Sequence, residues 1–176
     1  MLGLNKGDVH LVPHTSEWKK AFIDEKELLN TLIGEHVVDI QHIGSTAIDG
    51  IVAKPLLDIV IGVRSMEDVQ KFDKHKLKAA NYYHLGRVQI EGKKVFAKFS
   101  NLEVLTKTHV LHVVEYDGDW WHQHTFFRDY LNKNPESAKQ YEILKKELAE
   151  EFPADERAYA DRKKKFVDDI FLQRGE

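Results

Sequence analysis

The 176-residue sequence contains no cysteine. Without thiols the chain can form no disulfide scaffold, no thiolate–zinc site and no cysteine nucleophile. An excess of positive charge is also missing, because 29 aspartates and glutamates outnumber 26 lysines and arginines. Proteins that bind polymeric DNA or RNA usually carry clustered cations that displace counterions from the phosphates. We therefore expect no DNA or RNA polymer as a partner, whereas a small nucleotide would need only a few local donors.

Long apolar runs are absent as well, and we expect no secretory leader. No stretch approaches the roughly 20 apolar residues of a membrane-spanning helix, and residues 1–10 do not combine a charged start with an apolar segment. We expect a cytoplasmic protein without a membrane partner. Its 42% apolar and 31% charged residues are ordinary for a folded chain. The sequence does not indicate the oligomeric state.

Segments in the first two thirds of the chain show patterns that are typical of strands. Apolar or β-branched runs predict strands at 9–13, 37–43, 56–63 and 107–116. The 56–63 run is almost entirely apolar, as expected for a strand that is buried on both faces. Residues 88–99 predict a β-hairpin that folds at Glu91-Gly92.

Apolar residues at helical spacing predict helices between and after these strands. The predicted helices begin at Thr15 or Ser16, at Ser65, near Trp120, at Asn134-Pro135 and near Asp155. The first should end at Gly34, and the one at Ser65 should run for about four turns. The order predicts a single α+β domain over 1–176, with a mixed sheet and flanking helices over about 8–116 and a C-terminal helical lobe over about 118–173.

The stretch from His42 to Thr46 ends a predicted strand in a tight turn. Gly44, Ser45 and Thr46 would offer backbone N–H groups and hydroxyls to a phosphate, because glycine lets a ligand approach closely. About a dozen residues later, Asp58 lies among leucine, isoleucine and valine, where an ionised carboxylate is costly unless it is paired or binds a metal. Each feature alone is commonly structural. Together they predict anion donors beside a buried acid.

These motifs resemble the GrpB family, a little-characterised branch of the nucleotidyltransferase superfamily. The matching segments are 42–47, 53–55 with Asp58, 111–114, 127–131, and Tyr159 with Lys163 and Phe166. The resemblance covers residues from about 8 to 172 and implies the nucleotidyltransferase fold. In some bacteria the family's domain is fused to dephospho-coenzyme A kinase, which implies a place in nucleotide or cofactor metabolism.

The superfamily's chemistry implies metal ligands that this chain supplies only in part. Nucleotidyl transfer there uses two or three carboxylates that hold a divalent metal, so the resemblance implies Asp58 as a ligand of Mg²⁺ or Mn²⁺. The second carboxylate would lie two residues further on, where this chain has Val60. A third would come from the neighbouring strand, whose centre is His112. An imidazole there could bind a metal or act as a base, but it is not a hard oxygen ligand.

Four further side chains are candidates for contact with a ligand. Lys54 could reach a phosphate or could simply be solvated. Arg128 and Lys163, on the helical lobe, could close over an anion from the other side or serve as ordinary surface cations. His42 could orient the Gly-Ser turn or be a satisfied strand histidine.

Two functional hypotheses remain open on this evidence. In the first, the protein is an enzyme that transfers a nucleotidyl group to a small acceptor, or catalyses a related phosphate-bond reaction. Gly44 and Ser45 would hold the phosphates, Asp58 would hold the metal, and His112 would act as base or ligand. In the second, it is a non-catalytic sensor of a nucleotide or another anion that has lost the second metal-binding carboxylate.

The surroundings of Asp58 should separate the two hypotheses. A second carboxylate close to it, from Glu103, Glu115 or Asp117, would favour the enzyme. A pocket in which Asp58 is accompanied only by cations would favour the sensor.

Overall fold

One mixed sheet organises the protein, in a computed structural model that describes residues 1–174. Its five strands are β1 (Asp39–Ile43), β2 (Leu57–Val63), β3 (Tyr82–His84), β4 (Lys93–Asn101) and β5 (Thr106–Glu115). The α-helices are α1 (Glu17–Ile33), α2 (Lys74–Ala79), α3 (Asp119–Lys133), α4 (Pro135–Glu151) and α5 (Glu156–Leu172). Short 3-10 helices cover Gly34–His36, Ser45–Ala47 and Met66–Lys71. The predicted α+β class is confirmed.

The strand order is β1-β2-β5-β4-β3, so the two strands that carry Asp58 and His112 are neighbours. Strands β2 and β5 run parallel, and every other pair in the sheet is antiparallel. The register aligns Asp58 with Ile43 on one side and with Val110 on the other, and aligns Val60 with His112. Because residues in register share a face of the sheet, Asp58, Val60 and His112 all point the same way.

The central strand β2 shows why the sheet is buried on both sides. Six of its seven residues are fully buried, and Asp58 is the exception. On one face, the side chains of Ile59 and Ile61 pack with Leu29 of α1 and Phe72 of the segment that precedes α2. On the other face, Val60 packs with Trp121 of α3.

The last third of the chain forms the predicted helical lobe. Helices α3, α4 and α5 pack together through an apolar cluster that includes Leu131, Tyr141 and Ile170. The same cluster takes in Ile48 and Ile51, which lie in the loop between β1 and β2. This contact holds the lobe against the Gly-Ser end of the sheet. Within the described part of the chain, no helix has the length and apolar composition to cross a bilayer.

Two of the predicted strand elements are wrong. Residues 9–13 form no strand, and only an isolated bridge joins Val12 to Ala53, because Pro13 has no N–H with which to continue a ladder. The hairpin predicted over 88–99 is also absent. The turn at Gly92 carries a single bridge between Ile90 and Lys93, and the strand that follows it pairs with β5 and β3 instead. The true tight turn lies after β4, where the Asn101 side chain accepts hydrogen bonds from two backbone N–H groups.

The four-turn helix predicted from Ser65 is wrong in length. Ser65 does cap a helical turn, since its hydroxyl accepts a hydrogen bond from the backbone N–H of Glu67, but the turn is a 3-10 helix that ends at Lys71. Phe72 then takes an extended conformation, and Asp73 caps the separate helix α2 with bonds from two N–H groups. The cap at Asp73 thus divides a segment for which the apolar spacing alone predicts one continuous helix.

A buried polar cluster joins α1 to the sheet on the face opposite Asp58. Glu25 accepts hydrogen bonds from the Tyr82 hydroxyl at 3.0 Å and from the Lys98 ammonium at 2.8 Å, and its other oxygen lies 3.3 Å from His109 Nε2. Burial lowers the pKa of His109 to about 4 in spite of the Glu25 carboxylate, so the imidazole is neutral at pH 7. The carboxylate therefore depends mainly on Lys98 for charge compensation.

Replacing Glu25 should destabilise the fold strongly. In Glu25→Ala the Lys98 ammonium loses its buried partner, which should lower the free energy of unfolding by about 3 kcal/mol. Glu27, which is exposed on the same helix, provides the control. Glu27→Ala should change the free energy of unfolding by less than about 0.5 kcal/mol. Urea denaturation followed by circular dichroism measures both. Equal effects of the two substitutions would contradict the role of the cluster.

Candidate functional site

A large cleft separates the Asp58 face of the sheet from the helical lobe. Its volume is about 1110 Å³, which exceeds the roughly 300–1,000 Å³ typical of a small-molecule site. The sheet side contributes Asp58, Lys93 and His112, and the helical side contributes Tyr159 and Lys163. The cleft thus places several ionisable side chains around Asp58.

The Gly44-Ser45 turn lies directly against Asp58. Gly44 has φ 74° and ψ −172°, a conformation that favours glycine. A Cβ atom at this position would lie 2.7 Å from Asp58 Oδ2, far inside van der Waals contact. The first N–H groups of a helical turn have no partner within the turn itself, and Ser45 adds a hydroxyl that lines the cleft. The predicted juxtaposition of the turn and the acid is therefore present.

Asp58 is paired with His112 across the β2–β5 register. The distance from Asp58 Oδ1 to His112 Nε2 is 3.1 Å, and 31% of the Asp58 side chain is exposed. Burial alone would raise the pKa of Asp58, but the hydrogen bond from His112 and the ammonium groups of Lys54 and Lys163 lower it below its usual value. The carboxylate is ionised at neutral pH. Nδ1 of His112 is buried and has no hydrogen-bond partner in the part of the chain that the structure describes.

Two lysines and two tyrosines form the side of the cleft nearest to the helical lobe. The ammonium groups of Lys54 and Lys163 lie 5.1 Å and 5.2 Å from the centre of the Tyr159 ring. The Tyr159 hydroxyl is buried and has no hydrogen-bond partner among residues 1–174, whereas the Tyr141 hydroxyl lies 3.4 Å from Ser45 Oγ. Donors thus extend from the Gly-Ser turn to α5.

The charges of the two lysines affect each other. Burial lowers the pKa of Lys54, and the nearby Lys163 lowers it further, while Glu156 and Asp58 offset part of the effect. Burial also acts to lower the pKa of Lys163, but the oxygens of Tyr141 and Tyr159 and the Asp58 carboxylate raise it overall. A negatively charged ligand would relieve the repulsion between the two ammonium groups.

Most of the residues predicted for the site line the cleft, and three do not. Those that line it are Gly44, Ser45, Lys54, Asp58, His112 and Lys163. The His42 ring lies on the opposite face of the sheet, where it stacks on Phe22, and its Nε2 is 2.8 Å from the Thr46 hydroxyl. Arg128 donates to the His42 carbonyl and to Gln41. His42, Thr46 and Arg128 therefore support the turn from behind, and their direct contact with a ligand stays a prediction.

Both interpretations of His42 agree with this arrangement. Its side chain is a satisfied strand histidine, and the same hydrogen bond holds the turn in place. Burial lowers its pKa to about 4, so the ring is neutral at pH 7.

The three acids that would have favoured a metal centre are not among the residues that line the cleft. Glu103 lies beyond the end of β4, Glu115 is an exposed residue at the end of β5, and Asp117 pairs with His122 at 2.8 Å. Glu156 and Asp161 of α5 do line it, but Glu156 faces Lys54 at 3.8 Å.

The residues around Asp58 do not fit a Mg²⁺ or Mn²⁺ centre of the two-carboxylate type. Val60, in the place of the second acid, is fully buried against Trp121. Over residues 1–174 no group of three or more histidines, aspartates and glutamates is arranged to hold a metal ion. Lysines occupy the surroundings of Asp58 instead, and they are donors rather than metal ligands.

Four side chains that line the cleft are not predicted as site residues from the sequence, namely Tyr141, Tyr159, Lys93 and His124. The two tyrosines recur at the helical spacing of core residues, and they are indeed buried. Nothing in that spacing shows that the two side chains line a cleft. Lys93 and His124 are distant in sequence, and only the pairing of β4 with β5 and the packing of α3 bring them together.

Replacing Gly44 should test the close approach of the turn to Asp58. Gly44→Ala adds both backbone strain and a clash with Asp58, so we expect the free energy of unfolding to fall by about 3 kcal/mol. Gly50 has a similar φ of 80° with nothing within 4 Å of its added Cβ, and Gly50→Ala should cost only about 1 kcal/mol. Chemical denaturation of both variants measures the difference, and its absence would show that the turn can move away from Asp58 freely.

Comparisons with known proteins bear on the family and the fold of this chain. The family model described as GrpB protein matches residues 8–173. The glutamate-rich protein GrpB of Alkalihalophilus pseudofirmus is 63% identical over 170 residues, which cover 97% of this chain and 98% of that protein. YqkA of Bacillus subtilis is 36% identical over 162 residues, which cover 92% of this chain but only 46% of that longer protein.

Two solved structures extend the comparison to the fold. The crystal structure of GrpB from Enterococcus faecalis is 26% identical and covers 95% of this chain and 100% of that one, with a TM-score of 0.83. The Cid1 poly(U) polymerase with Mg 3'-dATP bound is 15% identical, with a TM-score of 0.52 over 78% of this chain and 43% of that one. This second likeness shows the fold alone, and it confirms the predicted nucleotidyltransferase-like architecture. The chain belongs to the GrpB family.

Proposed function

We propose that the cleft binds a nucleotide or another small phosphorylated molecule, with a phosphate group between the Gly44-Ser45 turn and Lys163. One observation carries the proposal: a turn that has no room for a side chain faces two ammonium groups across a single cleft. Backbone N–H groups at a glycine turn and lysine side chains are common donors to phosphate oxygens.

The charge balance supports an anionic ligand even though Asp58 is close. The carboxylate already accepts a hydrogen bond from His112, which reduces its repulsion of a neighbouring anion. Lys54, Lys107 and Lys163 also line the cleft. The positive charge that a phosphate needs is therefore present in the protein itself, and we expect binding to require no added divalent metal.

The unpartnered hydroxyl of Tyr159 is further support. A buried hydroxyl without a hydrogen bond costs roughly 1–3 kcal/mol, and the centre of the ring that carries this one lies 5.1 Å and 5.2 Å from the two ammonium groups. A phosphate oxygen bound between the two lysines would give the hydroxyl an acceptor. The ligand would thus satisfy a group that the free protein leaves unsatisfied.

Nucleotidyl transfer to a small acceptor is the second candidate function. The hydrogen-bonded Asp58–His112 pair in a cleft of this size favours it, and the structural neighbour Cid1 is a poly(U) polymerase whose structure holds Mg 3'-dATP. It would require Asp58 to hold Mg²⁺ or Mn²⁺ without a second carboxylate, and for that reason we place it second.

Calorimetry with ATP tests the first proposal. We expect ATP to bind both in excess EDTA and in excess Mg²⁺, because lysines supply the positive charge. Lys163→Met should weaken binding about tenfold or more, the usual effect of losing a hydrogen bond to a charged group. Lys165 of the same helix is exposed and pairs with Asp169, so Lys165→Met is the matched control and should bind like the wild type. Failure of the wild type to bind ATP in either solution would contradict the proposal.

The sign of the effect of Asp58→Asn distinguishes the two candidate functions. If the anion binds without metal, removal of the negative charge should tighten ATP binding in EDTA by a few fold, since a repulsive charge has gone. If Asp58 holds a metal ion, the same substitution should weaken binding in Mg²⁺ and abolish any transfer of label from α-labelled ATP to an acceptor.

A further inference from the structure

Lys93 is a buried ammonium group that the phosphate site does not use. It begins β4, in register with Val114, and its side chain enters the cleft on the same face of the sheet as Asp58. Only 5% of the residue is exposed. Its ammonium forms no salt bridge with a carboxylate of the described chain, although such pairs occur for Lys54, Lys98 and others.

Two neutral groups are the contacts of this ammonium. Its Nζ atom lies 2.7 Å from His124 Nε2 and 4.0 Å from the centre of a Trp120 ring. Burial, together with the nearby charges of His112 and Lys93, lowers the pKa of His124 to about 2, so this imidazole is neutral and accepts a hydrogen bond from Lys93.

A buried positive charge with only neutral partners is costly. The pKa of Lys93 reflects this cost, because burial lowers it to about 8 in spite of the attraction of Asp58. An anion beside the ammonium would remove the imbalance. Because Lys93 lines the cleft and pairs with no carboxylate of the described chain, a bound ligand would have to supply this anion.

The walls around Lys93 are apolar. Leu85, Val88, Ile90 and Val95 line this part of the cleft, and Val88 and Ile90 are 38% and 39% exposed. Trp120 stacks on His124 with 24° between the ring planes, and its indole N–H donates to the carbonyl of Glu91, which holds the ring in place. The surroundings therefore suit an apolar or aromatic body attached to a charged group.

His112 links this region to the phosphate site. It donates to Asp58 on one side, and its ring centre lies 5.0 Å from that of His124 on the other. A ligand held by Lys93 would thus lie next to the Asp58–His112 pair.

We infer that Lys93, His124 and Trp120 form a second subsite of the cleft, which binds the carboxylate or phosphate of a small apolar or aromatic acid. This subsite goes beyond the proposed binding of a phosphate at the Gly-Ser turn, because it uses none of the same donors. It gives the cleft room for a second ligand, or for the distal acidic end of one long ligand.

Benzoate and benzamide provide the test, since they share a ring and differ in charge. Their affinities can be measured by NMR from the indole N–H signal of Trp120 in the ¹⁵N-labelled protein, assigned with Trp120→Phe. We expect benzoate to shift this signal saturably and benzamide to bind at least about tenfold more weakly. Lys93→Met should reduce benzoate affinity about tenfold or more, as expected for loss of a charge-assisted hydrogen bond.

Lys94→Met is the matched control, because Lys94 is the exposed neighbour on the opposite face of β4; it should leave benzoate binding unchanged. Lys93→Met removes an uncompensated charge and should melt at the wild-type temperature or above, which shows that it is folded. The inference is overturned if wild-type protein does not bind benzoate, if benzamide binds equally well, or if Lys93→Met binds benzoate like the wild type. Lys163→Met should retain benzoate binding, so the two subsites can fail separately.

Discussion

The close approach of the Gly44 backbone to the Asp58 carboxylate is the constraint on which the site depends. The antiparallel register of β1 and β2 sets Ile43 opposite Asp58, so the chain must leave β1 directly beside the acid. A side chain at position 44 would occupy the space of the carboxylate. The turn is then held from behind by the hydrogen bond between His42 and Thr46 and by Arg128. The fold thus fixes a donor turn and an acid in contact, and the cleft opens in front of both.

The helical lobe changes the electrostatic character of that pair. A lone carboxylate beside this turn would repel the anion that we propose to bind there. Lys54 from the loop before β2 and Lys163 from α5 lie on the same side of the cleft, and both lower the pKa of Asp58. In a nucleotidyltransferase-like fold with two carboxylates, a metal ion would carry this positive charge. In this chain Val60 is sealed in the core, and lysines provide the charge instead.

The sequence was most informative where local chemistry and strand order agree. The apolar run that contains Asp58, the glycine before Ser45 and the β-branched run around His112 each predict a strand or a turn at the correct place, and neighbouring strands bring them together. The sequence was least informative where long-range packing determines which side chains meet. Lys93 meets His124 only through the pairing of β4 with β5 and the docking of α3. Tyr159 has the spacing of a core residue, and its buried hydroxyl becomes visible as a donor only once α5 is in place. Gly92 and Ser65 do mark turns, as their local sequence predicts. The strand after Gly92 pairs with β5 instead of forming a hairpin, and the cap at Asp73 begins a separate helix after the turn at Ser65.

The most direct measurement of the central claim is a crystal structure of the protein with bound ATP. We expect a phosphate oxygen within about 2.7–3.2 Å of the backbone N–H groups of the Gly44-Ser45 turn and of Lys163 Nζ, with Asp58 still hydrogen-bonded to His112. An ordered nucleotide whose phosphates lie outside this cleft, away from the turn, would contradict it.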